Sequence, residues 1–126
     1  MDLVKEISLE NGVKVCFYSH VHRYYGDYYR VKLDIVCEVS LLEEYFADRQ
    51  AYAEAKASLG PTAIYRRNVE QMGVPSAELN RTLESLIEHF SRHSLPYIAS
   101  SSYPKKLVHK EVNGAGRKVQ RAYAGR

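Results

Sequence analysis

The sequence YYRVKLDIVCEVS, residues 28–40, decides the fold of this chain. Apolar side chains occupy every second position of the stretch: Tyr29, Val31, Leu33, Ile35, Cys37 and Val39. The positions between them are polar except Val36, and they hold Arg30, Lys32, Asp34 and Glu38. Period-two alternation that is rich in β-branched residues is typical of a strand with one buried face. We therefore predict a strand that needs neighbouring strands and a covering layer.

Two further predicted strands precede this stretch and are joined at Asn11-Gly12, a sequence that favours a tight turn. A two-residue loop would leave the apolar residues of the two strands on opposite faces. A three-residue loop pairs Ile7 with Val15 instead and collects the apolar residues on one face. In that arrangement Gly12 takes the left-handed conformation of a bulge. We prefer the three-residue loop.

The connection to residues 28–40 contains a second turn sequence, Gly26-Asp27. A tight turn there would place Cys16 directly opposite Cys37. Burying the apolar residues of both strands on one face requires a longer or bulged loop instead, over about residues 19–27, and the two thiols then point to opposite faces. We therefore predict an antiparallel meander of three strands without a disulfide.

Amphipathic helices are predicted to cover the apolar face of this sheet. The first spans about residues 41–59 and begins at Ser40, in a sequence with the form of a capping box. A shorter helix is predicted at residues 62–72, and a third at residues 77–93 after a cap at Ser76. The predicted fold class is α+β, a three-stranded antiparallel β-meander covered on one face by two or three α-helices.

The C-terminal part of the chain differs in composition from the rest. Residues 105–126 hold seven Lys/Arg and one acidic residue, whereas residues 1–104 hold 11 Lys/Arg and 14 Asp/Glu. The net charge of +3 is therefore concentrated near the C-terminal end. We expect residues 97–112 to be ordered without regular secondary structure. The single domain is predicted to span residues 1–112. Residues 113–126 are predicted to form a basic, flexible tail.

Length and composition place limits on the class of protein. A chain of 126 residues can bury a core without a disulfide or a metal. No apolar run approaches the about 20 residues of a membrane span, and the N-terminal residues lack the apolar segment of a signal peptide. We expect a cytoplasmic protein without membrane contacts, in which both cysteines are reduced.

The segment SHVHRYYGDYY, residues 19–29, is the strongest candidate for a binding surface. Tyrosine and arginine are enriched where proteins meet their partners. We predict that this loop contacts a protein partner or a second copy of the chain. The alternative is that the tyrosines pack at the sheet edge and that the aspartate only forms a turn. The predicted contact residues are Arg23, Tyr24, Tyr25, Asp27 and Tyr28.

A nucleic-acid-binding protein is the alternative function. The basic segment, residues 105–126, can neutralise phosphates, and Tyr103 and Tyr123 can stack on bases. No helix-turn-helix, RNP or zinc-finger pattern accompanies it. The residues predicted to contact nucleic acid are Lys105, Lys106, Lys110, Arg117, Lys118 and Arg121.

Histidines suggest a less favoured alternative, a metal site. His20 and His22 share one face of an extended segment, and His89 and His93 share one face of a helix. The second pair lacks the adjacent glutamate of the zinc-protease pattern HExxH. A third ligand would have to come from Asp27, Glu88, Cys16 or His109.

Sequence motifs of catalysis are missing. The chain has no GxSxG elbow, P-loop or GxGxxG fingerprint in the context of a strand and a helix. Cys37 belongs to the apolar face of its strand, where a thiol usually packs without reacting. We expect a non-enzymatic protein without a cofactor.

The predicted sheet also suggests self-association. A three-stranded meander leaves two strand edges and a second face. Apolar residues add to that face, so a homodimer is a further expectation. These residues are Val4, Cys16, Tyr18 and Val36.

Several blocks of the sequence resemble a family of small bacterial proteins of unknown function, in which a similar glycine-aspartate loop joins two strands. The blocks are NGVKVCFYSHVHRYYGDYYRVKLDIVCEV, then SLLEEYF, and later LPYIA with YPKKLV. The resemblance covers most of residues 3–108. It implies a small bacterial cytosolic protein and carries no catalytic or binding residue with it.

Overall fold

The computed structural model describes residues 2–124, with side chains through residue 114. These residues form a four-stranded antiparallel sheet and four α-helices, so the fold class is α+β as predicted. The strands are β1 Asp2–Ser8, β2 Lys14–Tyr25, β3 Tyr28–Ser40 and β4 Thr62–Pro75. The helices are α1 Arg49–Leu59, α2 Leu79–His93, α3 Leu95–Ile98 and α4 Tyr103–Ala124. Two short 3-10 turns precede α1 and α2, at Glu43–Tyr45 and Ser76–Glu78.

The strands lie in the order in which the chain forms them, β1-β2-β3-β4. The first hairpin has the predicted register, with Ile7 opposite Val15 and Lys5 opposite Phe17. Gly12 has φ of 89°, the left-handed conformation expected for the three-residue loop. The preferred loop is therefore confirmed.

The second hairpin combines a tight turn with a bulge. Val15 lies opposite Cys37, and Cys16 lies opposite Val36, so the two cysteines point to opposite faces as predicted. The register shifts by one residue between Arg23 and Tyr25. The predicted bulge is confirmed, but the predicted loop over residues 19–27 is wrong, because the strand continues to the turn and pairs with β3 along most of that length.

The prediction of a helix at residues 62–72 is wrong, and with it the prediction of three strands. The segment forms β4, which pairs with the second edge of β3. Ala63, Tyr65 and Val69 lie on the covered face, opposite buried residues of β3, but Arg67 interrupts their alternation. Pairing satisfies the backbone donors and acceptors of β3 along this edge, which outweighs the weak helical spacing.

The first helix begins later than predicted. Ser40 is the last residue of β3 and caps no helix. Leu41 is buried, and its backbone N–H donates to the carbonyl oxygen of Pro61 at 3.0 Å. Asp48 is the residue that caps α1, since its side chain accepts a hydrogen bond from the backbone N–H of Ala51 at 2.7 Å.

The predicted helix at residues 77–93 is confirmed as α2, although Ser76 opens a 3-10 turn and does not cap it. Phe90 meets Phe17 of β2 edge to face, with ring centroids 5.7 Å apart. This contact joins the helical layer to the middle of the sheet. The apolar stripe that packs against the core consists of Leu83, Leu86, Ile87 and Phe90.

The absence of regular structure predicted for residues 97–112 is wrong, because α3 and α4 occupy this part of the chain. Tyr103, Leu107 and Val108 are buried on one face of α4. The helical backbone continues past residue 112 to Ala124. Side chains beyond residue 114 lie outside the described residues, so the division into a domain and a tail stays a prediction.

The core lies between one face of the sheet and the helices. Residues on the sheet side of the core have relative exposures of 2% or less, among them Val13 just before β2, Val15, Phe17, Val31, Leu33, Ile35, Cys37 and Val39. Phe90 of α2 and Val108 of α4 cover them from the other side. The opposite face of the sheet is only partly buried along β3, where His20 of β2 pairs with Asp34 of β3.

Candidate functional site

The turn between β2 and β3 consists of Gly26 and Asp27, at one end of the sheet. Gly26 has φ of 52°, a conformation that glycine adopts without strain. The guanidinium Nε of Arg23 donates a hydrogen bond of 2.6 Å to the carbonyl oxygen of Gly26. A side chain of the hairpin therefore closes its own turn.

Exposed apolar area is concentrated at this end of the sheet. Ten large apolar or aromatic side chains of the described residues are at least 36% exposed. Five of them belong to the turn end: Val21, Tyr24, Tyr25, Tyr28 and Met72. The other five are Leu3, Val4, Leu42, Ile64 and Tyr97. We call the following set the hairpin-end surface: Val21, Arg23, Tyr24, Tyr25, Asp27, Tyr28 and Met72.

Strand pairing brings these residues together. Tyr25 lies opposite Tyr28, and Tyr28 lies opposite Pro75 at the end of β4. Met72 precedes Pro75 on the same strand. Tyr25 is the most exposed residue of the set, with a relative exposure of 75%. Three neighbouring strands therefore contribute to this end of the sheet, with Val21 on the face of Val31 and Tyr25 and Tyr28 on the opposite face.

Buried residues support the hairpin-end surface from the core. Val31 of β3 and Val74 of β4 are almost completely buried at this end of the sheet. The hydroxyl of Tyr24 lies 3.7 Å from the position that a Cβ of Gly73 would occupy, so Tyr24 reaches across to β4. A surface on a packed base loses little conformational entropy when it binds.

One edge of β2 is uncovered near this surface. The pairing of β1 with β2 ends where Asp2 lies opposite Ser19. Within residues 2–124, no strand pairs with residues 20–25 of β2 on that side. A strand edge of this kind can pair with an extended segment of another chain.

The five residues predicted to contact a partner are all exposed and lie at this end of the sheet: Arg23, Tyr24, Tyr25, Asp27 and Tyr28. Their part in binding stays a prediction. The sequence reasoning missed Val21, which continues the alternation of β2 beyond the covered region. It also missed Met72, because its segment was predicted to be helical.

The basic residues of the alternative prediction lie on α4. Lys105, Lys106 and Lys110 are exposed. Lys106 and Lys110 line a cleft between α4 and β4, whereas Lys105 does not. The side chains of the remaining three residues lie outside the described part of the chain: Arg117, Lys118 and Arg121. Nucleic-acid binding by this segment stays a prediction.

Three of the histidines considered as metal ligands have a close side-chain neighbour. His20 Nε2 lies 2.9 Å from Asp34 Oδ2, and the rings of His89 and His93 lie with their centroids 4.4 Å apart. Among the residues with described side chains, no group of three or more His, Cys, Asp or Glu is arranged to hold a metal ion. The predicted histidine pairs therefore lack a third ligand within this part of the chain.

The environment of Cys37 makes its thiol a poor nucleophile. Burial, and to a smaller degree the neighbouring Cys16, raises the pKa of the Cys37 thiol from its ordinary value of 9.0 to about 11. The thiol is therefore protonated near neutral pH, whereas the thiolate is the reactive form. Cys37 is completely buried in the core cluster, where it packs as a small apolar side chain.

None of the described helices has both the length and the apolar character needed to cross a membrane. Comparisons of the chain with protein-family models, with curated proteins and with solved structures find no match.

Proposed function

We propose that this chain is a non-enzymatic protein-interaction module that binds its partner through the hairpin-end surface. The observation that carries the proposal is the concentration of exposed side chains there, since five of the ten large exposed apolar or aromatic residues lie at one end of the sheet. Exposed apolar residues that are scattered singly need no explanation, whereas a cluster marks a contact site.

The residue types at this surface fit a protein partner. Tyrosine, methionine and arginine are enriched in protein interfaces, and tyrosine buries a large area while few torsion angles become fixed. The surface carries Arg23 and Asp27, charges of opposite sign. Phosphate backbones are bound by clusters of cations, so this surface favours a protein over a nucleic acid.

The uncovered edge of β2 adds a second element of recognition. Backbone groups of residues 20–25 can pair with an extended segment of the partner, while Tyr24 and Tyr25 beside the turn contact its side chains. Main-chain pairing supplies affinity without selecting a sequence. The tyrosines then supply the selectivity.

Site-specific photo-crosslinking tests the proposal. A benzophenone amino acid replaces Tyr25 in one variant and Leu42 in a matched control, and both proteins are irradiated in the native host. Leu42 is also exposed, at 42%, but lies outside the hairpin-end surface. Mass spectrometry identifies the products.

We expect a discrete adduct with one protein from position 25 and not from position 42. An adduct with the mass of two copies of this chain would identify the partner as the chain itself. Equal adducts from both positions, or none from position 25, would contradict the proposal.

A further inference from the structure

A cleft opens where β4 meets α2, α3 and α4, on the helical side of the sheet and apart from the hairpin-end surface. Its volume is about 400 Å³. Clefts that bind small molecules typically enclose about 300–1,000 Å³. The cleft is therefore large enough for a ligand with a single ring and one substituent.

The floor of the cleft is apolar. Phe90, Ile98, Tyr103 and Leu107 line it, and each is buried, with a relative exposure of 6% or less. Burial raises the pKa of the Tyr103 hydroxyl far above its ordinary range, so this side chain remains neutral. An aromatic ring fits such a floor by stacking and by excluding water.

The rim of the cleft is basic. Arg67 of β4 and Lys106 and Lys110 of α4 line it together with His93, and none of the described lining residues is Asp or Glu. The guanidinium of Arg67 lies 3.4 Å from the hydroxyl of Ser94, another lining residue. Three permanent positive charges therefore surround one opening.

The rim cations have no carboxylate partner among the described ion pairs, a property shared by six of the eleven other Lys and Arg residues with described side chains. The remaining five lie within 4.0 Å of a carboxylate: Lys14, Arg30, Lys32, Arg49 and Arg92. None of the described ion pairs includes Arg67, Lys106 or Lys110. Two like charges at positions i and i+4 destabilise a helix by repulsion. Lys106 and Lys110 form such a pair on α4. A bound anion would relieve this repulsion.

We propose that the cleft binds a small aromatic phosphate, with the phosphate between Arg67, Lys106 and Lys110 and the ring on the apolar floor. Arginine and lysine are the side chains that bind phosphate oxygens in proteins, arginine through two parallel hydrogen bonds. A dianion matches the excess of positive charge. The inference is independent of the hairpin-end surface, because the two share no residue.

Calorimetric titration with phenyl phosphate tests this inference at 0.15 M salt. Inorganic phosphate carries the charge without the ring, and phenol carries the ring without the charge. We expect phenyl phosphate to bind at least tenfold more tightly than either. Equal affinity for phenyl phosphate and inorganic phosphate, or no binding of phenyl phosphate at 10 mM, would overturn the proposal.

Matched variants locate the site. Lys110→Gln and Arg67→Gln each remove a cation from the rim and should weaken the binding of phenyl phosphate at least tenfold. Lys105→Gln removes the same charge from α4 outside the cleft, and should change the affinity less than twofold. Equal losses for Lys105→Gln and Lys110→Gln would show attraction by net charge alone and would overturn the proposal. Tighter binding of a 5′-phosphorylated single-stranded oligonucleotide than of phenyl phosphate would overturn it in favour of nucleic acid.

Discussion

The side-chain amide of Asn11, in the turn between β1 and β2, donates a hydrogen bond of 2.8 Å to the carbonyl oxygen of Ile98, the last residue of α3. The same amide donates to the carbonyl oxygen of Ser100 at 2.7 Å. Its oxygen accepts a hydrogen bond of 3.1 Å from the backbone N–H of Val13. The Asn11 side chain therefore stabilises the first turn and also links it by hydrogen bonds to the C-terminal end of α3.

Replacing Asn11 by alanine should reduce the free energy of unfolding by about 2 kcal/mol, because two partly buried carbonyl groups lose their donor. Asn11→Asp keeps the acceptor for the Val13 N–H but places a carboxylate oxygen against the two carbonyl oxygens. It should therefore reduce the free energy of unfolding at least as much as Asn11→Ala does. Urea denaturation at pH 7 measures both. Glu10→Ala, in the same turn and exposed, is the control and should change the free energy by less than about 0.5 kcal/mol. An Asn11→Asp variant as stable as the wild type would contradict a stabilising role for the hydrogen bonds from the Asn11 amide to Ile98 and Ser100.

Stability should fall at alkaline pH through Cys37. Burial raises the pKa of its thiol from the ordinary value of 9.0, which applies to the unfolded chain, to about 11 in the folded protein. Its contribution to stability is therefore complete below about pH 9 and is lost as the pH rises from 9 to 11, by up to about 1.4 kcal/mol per pH unit. Chemical denaturation at pH 8.0 and pH 10.5 measures the loss. Cys37→Ala should lose less stability than the wild type over this interval, and equal losses would show that another group is responsible.

The contact between Phe17 and Phe90 should dominate the stability of the helical layer. Phe90→Ala removes a buried ring that meets Phe17 edge to face, and should reduce the free energy of unfolding by about 3–5 kcal/mol. Tyr25→Ser changes an exposed side chain and should cost less than about 0.5 kcal/mol. Urea denaturation of both variants provides the comparison. Similar losses in the two variants would contradict the assignment of Phe90 to the core and of Tyr25 to the surface.

The sequence predicted the middle of the sheet because the alternation in β3 is almost unbroken and only one register of the first hairpin collects its apolar residues on one face. It also predicted α2, whose apolar residues recur at helical spacing. A longer or bulged connection within about residues 19–27 followed from the requirement that Val15 and Phe17 be buried beside residues of β3 such as Ile35. These features depend on local patterns and on one burial constraint.

Features that depend on tertiary context could not be predicted in the same way. Arg67 interrupts the alternation of β4, and only the unpaired edge of β3 makes that segment a strand. The helix α4 was missed although Tyr103, Leu107 and Val108 have helical spacing, since the apolar residues of this segment are scattered in a serine-rich context. The hydrogen bond from Asn11 to Ile98 joins residues far apart in the sequence, and no local sequence pattern predicts it.

The candidate surface was predicted in part. The tyrosines and Arg23 were identified from composition alone, because they stand out in a short segment. Val21 and Met72 joined them only through strand pairing. The cleft between β4 and α4 could not be foreseen, because it requires Arg67 to face a helix that the sequence pattern did not predict.

The affinity of the crosslinked partner for purified variants tests the central claim most directly. Tyr25→Ser should raise the Kd at least about 30-fold, the equivalent of about 2 kcal/mol at a residue in the centre of an interface, because the most exposed ring of the hairpin-end surface is lost. The Kd of Leu42→Ser, measured by calorimetry under the same conditions, should remain within twofold of the wild type. Unchanged affinity for Tyr25→Ser, in a protein that unfolds like the wild type, would contradict binding through the hairpin-end surface.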